Sequence, residues 1–465
     1  MDPASRGVGP TGSVDVTPLV DALPADCVIT DPDRMDAYRW DRANDPLAGV
    51  PLAVVRATCT ADVQAVMRFA TAHRIGVVTR GAGSGLSGGA SAVAGCLVVS
   101  TERMRAITVD PSSRTAVVEP GLLNAEVKAA AAEHGLWYPP DPSSYEFCSI
   151  GGNVATNAGG LCCVKYGVTG DYVLGLTVVL ADGTAVELGG PRIKDVAGLS
   201  LTKLFVGSEG TLGVITRIVL RLLPAQRPRA TLVATFASLD DATGAVLAVT
   251  RGLRPSMLEF MDRTSINAVE DLTRMGLDRD AEAMLVIQSD EPHTHAAQEI
   301  AHIAELCRAG QAVEVFTTDD PQTGEAFTVA RRMAIPALEK KGSLLLEDVG
   351  VPVPALGALV RGIKAISRAR EVLIAVIAHA GDGNTHPLIV FDPMDADQSA
   401  RAQRAYGEVM DLAIALGGTI TGEHGVGRLK KAWLPDYLGP DALELNRRIK
   451  DCLDPSGILN PGAVF

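Results

Sequence analysis

The stretch RGAGSGLSGGA, residues 80–90, constrains this chain more than any other, because it sets a nearly bare backbone between the apolar runs VVT (77–79) and CLVVS (96–100). A loop with so few side chains lets several N–H groups converge on phosphate oxygens in a concave nest. A flexible surface loop fits the close apolar bracketing poorly. A literal G-x-G-x-x-G is present at Gly83, Gly85 and Gly88, with Glu102 near the spacing of a ribose-binding acid. A Rossmann unit, however, needs a crossover helix before the next strand, and GGASAVAG (88–95) is too short and too glycine-rich to form one. No G-x-x-x-x-G-K-[ST] occurs there either, which excludes a P-loop.

The theme returns in CSIGGNVATNAGGLCC, residues 148–163. Two backbone-rich loops suit a long ligand with two ends, such as FAD, better than a mononucleotide. Ser149, Asn153, Thr156 and Asn157 offer hydrogen bonds where glycines permit close approach. The alternative is a turn packed tightly on a helix.

A chain of 465 residues needs more than one core. Residues 1–45 are punctuated by proline and glycine and are expected to be an irregular N-terminal segment. Residues 46–225 form the first domain, in which Thr60 caps a helix reaching about His73, Asn124 opens a helix that Gly135 closes, and 172–188 fold as a hairpin about Asp182-Gly183. The boundary falls in PAQRPR, near 225. Strands and helices alternate differently over 226–420, and 421–465 form a helical C-terminal segment. The expected class is α+β.

With 42 basic against 55 acidic residues, the net charge of −13 disfavours nucleic acid as a partner. Eight cysteines include no C-x-x-C, so zinc ribbons and iron–sulfur clusters lack a framework. The adjacent Cys162-Cys163 reads more readily as buried small hydrophobes than as a redox pair. The first residues, MDPASRGVGPTGSV, lack the charged-then-apolar pattern of a secretory signal. A cytoplasmic protein is expected, with peripheral membrane contact left compatible.

Near the end of the second domain, HAGDGNTH (379–386) lies between VLIAVIA and PLIVF. The Asp382-Gly383 pair signals a turn. A loop of residues 381–384 would pair Ala380 with Thr385 and set His379 opposite His386, close enough on one face to chelate a metal ion. Two rim histidines packed beside a turn remain the alternative.

These loops, with HAGDGNTH, TGEHGVG (421–427) and the ending DPSGILNPGAVF, resemble the FAD-linked D-2-hydroxyacid dehydrogenases of the vanillyl-alcohol-oxidase flavoprotein superfamily. The resemblance implies a two-subdomain FAD-binding domain and an α+β substrate domain. It implies that Arg80, Gly81, Ala82, Gly83, Ser84, Gly85, Leu86, Ser87 and Gly88 hold the pyrophosphate. Ser149, Gly152, Asn153, Thr156, Ala158 and Gly159 would pass along the flavin. Gly170, Val173, Glu209 and Ile215 would touch its adenine or ribitol side, and Asn460 would also help to position it. Residues 80–96 contain no histidine to tether the flavin, so FAD should be non-covalent.

In the metal-dependent members of that family, the positions matching His379, His386 and Glu423 hold a divalent cation, commonly zinc. The resemblance makes His424 the general base and Arg331 the clamp on the substrate carboxylate, with Arg332 as a rival and Asn384 assisting. In 2-hydroxyglutarate enzymes a threonine and a lysine bind the second carboxylate; Ile335 and Leu346 stand there in this chain. That apolar pair favours a D-lactate-like monocarboxylate, with D-2-hydroxyglutarate as the alternative if Lys340 or Lys341 reaches in. A competing class is a transferase resembling alkyl-dihydroxyacetone-phosphate synthase, which uses FAD without net oxidation and needs no metal histidines. The electron acceptor, whether a quinone, a cytochrome or an electron-transfer flavoprotein, is left open, as is the oligomeric state, a homodimer included.

Overall fold

The computed structural model describes residues 14–465 except positions 44 and 293. The expectation about the first residues therefore lies largely outside the described chain. Two compact units emerge. One combines the stretch up to Ala158 with Val168–Ala225 and Glu423–Phe465; the other combines Gly159–Gly167 with Gln226–Gly422.

In the first unit, strands Ala53–Arg56, Leu97–Ser100 and Val77–Arg80 lie side by side in parallel. They are buried on both faces, which is why they read as unbroken apolar runs rather than alternating ones. Helix Thr60–His73 turns Val63, Val66, Met67 and Ala70 into the same core. Thr60 is its first helical residue, with Cys59 at the cap position. No helix lies between Val77–Arg80 and Leu97–Ser100; the glycine loop alone joins them. A second, antiparallel sheet has the order Ile107–Asp110, Thr115–Val118, Val214–Arg221, Val173–Val179, Ala185–Gly189. Its central strand, Val214–Arg221, exposes only Arg217 and Arg221.

The N-terminal segment is more ordered than its punctuation suggests. Helices Thr17–Ala22 and Pro32–Met35 each begin with proline in the first turn, and Val28–Ile29 pairs with Ala53–Arg56. Proline is favourable at a helix start, where its missing N–H costs nothing. What looked like loop chemistry is helix-start chemistry. The C-terminal stretch also differs from a plain helical tail. Its helix, Leu434–Leu453, is interrupted at Gly439 ahead of Pro440, and residues 423–430 before it are turns. Beyond it the chain runs beside the glycine-loop strand, where Val77 donates to the Ile458 carbonyl (2.7 Å) and Asn460 donates to that of Val77 (2.8 Å).

The second unit is built on an antiparallel sheet of eight strands among the described residues. Its path is Ala312–Thr318, Ala230–Phe236, Ala283–Ser289, Met257–Asp262, Leu373–His379, Asn384–Phe391, Ser343–Leu346, with Val349–Gly350 also on Asn384–Phe391. Helices Leu239–Gly252, Arg263–Thr273, His295–Ala309, Pro321–Arg332 and Leu356–Arg370 pack around it. Ser238 caps the first of these through its hydroxyl, which accepts from the Asp240 and Asp241 amides.

The 379–386 hairpin has a different register from the one expected. His379 pairs with Asn384, Ala378 with Thr385 and Ile377 with His386, so the loop is residues 380–383. Gly383 takes the last loop position at φ +86°, and a Cβ there would lie 2.1 Å from the Val351 carbonyl oxygen. Its N–H donates to the His379 carbonyl (3.0 Å), and Asp382 Oδ1 accepts from the Asn384 N–H (3.0 Å). A turn that demands glycine at its final position draws the loop one residue toward the N-terminus. His379 and His386 then become diagonal neighbours on one face instead of facing each other.

Candidate functional site

In the first unit the glycine loop is held from three sides. Ser149 caps the short helix Ile150–Thr156, and its hydroxyl accepts from Gly152 N (3.3 Å) and from Ala82 N (3.2 Å), so the two glycine-rich tracts meet at one side chain. Asn460 Nδ2 donates to the carbonyls of Gly89 (2.9 Å) and Glu209 (2.7 Å). From below, buried Asp41 accepts from Ala90 N and the Ser91 hydroxyl. Burial raises the Asp41 carboxyl above its ordinary value, against the pull of these donors.

The Arg80 guanidinium lies between Gly83 of the loop and the N-terminal segment. It donates to the Trp40 carbonyl (2.7 Å), and burial lowers its pKa despite the nearby Asp41 charge. Residues 81–89 thus present bare backbone, which Arg80 ties to the N-terminal segment. Two polar atoms beside this loop, Thr79 Oγ1 and Asn460 Oδ1, are buried with no protein hydrogen bond. A bare-backbone loop and buried polar atoms awaiting a partner fit FAD. Ala158, Gly170, Val173 and Ile215 belong to this unit as well, whereas Gly159 falls in the other. Asn157 Oδ1 accepts from Gly170 N (2.8 Å), which joins that part of the set to the 148–158 tract.

Glu209 does something its expected role did not suggest. Its carboxylate accepts the amides of Val426 and Gly427, both at 2.8 Å. Burial pushes the carboxyl up to about 7, against the two N–H groups and the Lys430 charge. Ser87 holds the same stretch: its hydroxyl donates to the His424 carbonyl (3.1 Å), and its carbonyl accepts from Arg428 N and Leu429 N. Gly427, at φ +51°, lies where a Cβ would be 2.0 Å from Ser87 O. The turn carrying Glu423 and His424 is therefore pinned to the glycine loop. Within it, His424 Nε2 is 3.7 Å from Glu423 Oε1.

In the second unit the sheet register builds a polar row. Glu259 is the cross-strand partner of His379, which is in turn the partner of Asn384, so all three share a face. His379 Nδ1–H donates to Glu259 Oε1 at 2.7 Å. The other oxygen, Oε2, is ion-paired with Arg331 at 2.8 Å. Arg331 sits in the last turn of helix Pro321–Arg332. That helix is registered on the sheet by Gln288, whose amide donates to Thr231 Oγ1 and Thr328 Oγ1. His386 lies against His379 with ring centroids 5.1 Å apart, and its Nδ1 donates to the Glu347 carbonyl (3.3 Å). Asp348 accepts from the Thr421 hydroxyl (2.7 Å) and Gly422 N (2.9 Å), fixing the chain one residue before Glu423.

With both Nδ1 atoms engaged in protein hydrogen bonds, ligation by His379 and His386 falls to Nε2 of each. Two buried imidazoles on one face, each oriented by an oxygen acceptor, are a donor set suited to a divalent cation. Ile335 and Leu346 are half-buried and pack against the unit's apolar core. Lys341 is paired with Asp271 (2.8 Å), and Lys340 is exposed. Glu259 carries no motif; its signal was an acid in the middle of the otherwise apolar run MLEFM. Among the described residues no helix is long and apolar enough to cross a membrane.

The chain matches the FAD binding domain over residues 51–189 and the C-terminal domain of FAD linked oxidases over 225–464. It is 39% identical over 431 residues to the glycolate oxidase subunit GlcD of Bacillus subtilis, covering 92% of each chain. To D-lactate dehydrogenase of Archaeoglobus fulgidus it is 35% identical over 439 residues, covering 92% of this chain and 95% of that one. Among solved structures, substrate-bound p-cresol methylhydroxylase superposes with a TM-score of 0.79 at 16% identity, covering 96% of this chain and 95% of that one. Alkyldihydroxyacetonephosphate synthase superposes with a TM-score of 0.73 at 18% identity, covering 96% and 84%. Identities this low speak for the fold alone: an α+β flavoprotein fold of the vanillyl-alcohol-oxidase type.

Proposed function

Because the chain belongs to the FAD-linked oxidases, with an FAD binding domain and an oxidase C-terminal domain on one polypeptide, we propose that it oxidises a D-2-hydroxy monocarboxylate to the 2-oxo acid. The observation that carries this reading is the buried set around Glu259, which gathers an arginine and a histidine pair on one sheet face. Glycolate and D-lactate, the compounds named in the relatives, are both 2-hydroxy monocarboxylates.

Oxidation removes a proton from the hydroxyl and a hydride from the carbon that bears it. FAD, when bound, supplies the acceptor for that hydride at N5 of the flavin. Arg331 holds the substrate carboxylate, a role for which a planar fork with five N–H groups is suited. His424 accepts the hydroxyl proton, having an intrinsic pKa near the working range. Asn384 and Asn460 orient substrate and flavin. His379, His386 and Glu423 would hold a divalent cation, which as a Lewis acid favours the alkoxide form of the hydroxyl. Ile335 and Leu346 leave no cation for a second carboxylate, whose unpaired burial would be costly. The electrons then pass to an acceptor such as a quinone, a cytochrome or an electron-transfer flavoprotein.

Anaerobic mixing of the yellow protein with D- and L-2-hydroxy acids tests this directly. Bleaching of the flavin by glycolate, D-lactate or D-2-hydroxybutyrate, and not by L-lactate, is expected. Retention of the oxidised spectrum with every acid would end the proposal.

A further inference from the structure

We propose that Glu259 is a positioning residue that commits His379 to metal ligation through Nε2 and couples that ligand to Arg331. This rests on the reading of His379 as a metal ligand. Glu259 has no exposed surface and lies on the middle strand Met257–Asp262, directly across from His379. Its two oxygens serve different partners. Oε1 accepts from His379 Nδ1 (2.7 Å), and Oε2 pairs with Arg331 (2.8 Å). An ionised carboxylate can only accept, so it holds His379 in the tautomer with the proton on Nδ1 and the lone pair on Nε2. It also offsets the charge of an arginine that is almost fully buried. One carboxylate therefore sets the orientation of a metal ligand and of the substrate-binding guanidinium together.

A carboxylate that served only to neutralise Arg331 would make the His379 contact incidental. Glu259→Gln separates the two roles. The glutamine has one acceptor oxygen where two partners each need one, and the charged guanidinium should take it. The amide NH2 then faces His379 Nδ1, which must become an acceptor, and the proton moves to Nε2. In metal-free protein, histidine ¹⁵N shifts, with His379 assigned by His379→Gln, should show the Nδ1–H tautomer in the wild type and the Nε2–H tautomer in Glu259→Gln. Zn²⁺ titrated into metal-stripped, flavin-loaded protein in competition with a chromophoric chelator should bind about 10–100-fold more weakly to the variant.

The double variant Glu259→Gln, Arg331→Met removes the competitor and the uncompensated buried charge, so it also answers if the single variant fails to fold. Its glutamine oxygen is released to His379, and both the Nδ1–H tautomer and most of the Zn²⁺ affinity should return. An unchanged tautomer with Zn²⁺ binding within twofold of wild type in Glu259→Gln would overturn the inference, and so would a double variant that restores neither. A wild-type protein that binds no Zn²⁺ would overturn the metal reading instead, while the tautomer arm still decides the role of Glu259.

Discussion

Replacing His424 by alanine should slow flavin reduction by about 10²–10⁴, the usual worth of general acid–base catalysis. Substrate affinity should change less, because Arg331 still holds the carboxylate; stopped-flow reduction under anaerobic conditions separates the two. An unaltered reduction rate would remove His424 from the chemistry. Substrate size belongs to the same scale. Ile335→Thr with Leu346→Lys should shift kcat/KM from monocarboxylates toward D-2-hydroxyglutarate, and a wild-type preference for the dicarboxylate would contradict the assignment. The pairing of Lys341 with Asp271 removes one rival cation from that comparison. That His379 and His386 lie side by side was legible in the sequence, because one motif carries both. The contact of Glu259 with His379 was not, because its partner lies 120 positions away along the chain.

Among the elements, the turn carrying Glu423 and His424 has a hold that depends on pH. The Glu209 carboxyl that accepts from Val426 and Gly427 titrates near 7 in the fold, against 4.5 for an ordinary glutamate. Between those values the folded chain binds more protons than the unfolded one. The stability this group contributes is therefore fully present below about 4.5 and is lost as pH rises through about 7, by at most ~3 kcal/mol. Urea midpoints between pH 5 and pH 8 should fall for the wild type, and Glu209→Gln should flatten that slope; equal slopes would show that Glu209 does not titrate there. Element boundaries were legible wherever the apolar period was unbroken, as in helix Thr60–His73. The hairpin register was not, because it turns on the Val351 carbonyl pressing against Gly383, a contact that only the folded chain makes. Nor was the short strand Val28–Ile29, which owes its order to pairing with Ala53–Arg56 rather than to its own propensity.

At the scale of the whole molecule, FAD should be tightly held yet released intact. Acid precipitation should leave all the yellow colour in the supernatant, since no histidine stands in residues 80–96 to form a tether. Flavin retained in the pellet would show a bond elsewhere. The overall class could be read early, because two glycine tracts and a change of rhythm near 225 are properties of composition along the chain. The division into units could not: the first is assembled from three separated stretches, the second from two.

That assembly has a consequence for how the protein is made. The glycine loop is complete by residue 90, but Asn460, Ile458 and the 426–427 amides that secure it and its neighbour Glu209 belong to the last stretch. A ribosome must therefore translate the entire intervening unit before the flavin cradle can close. A nascent chain stalled at residue 422 should emerge colourless however much FAD surrounds it, and should become yellow only after a chain carrying residue 460 has been released from the ribosome.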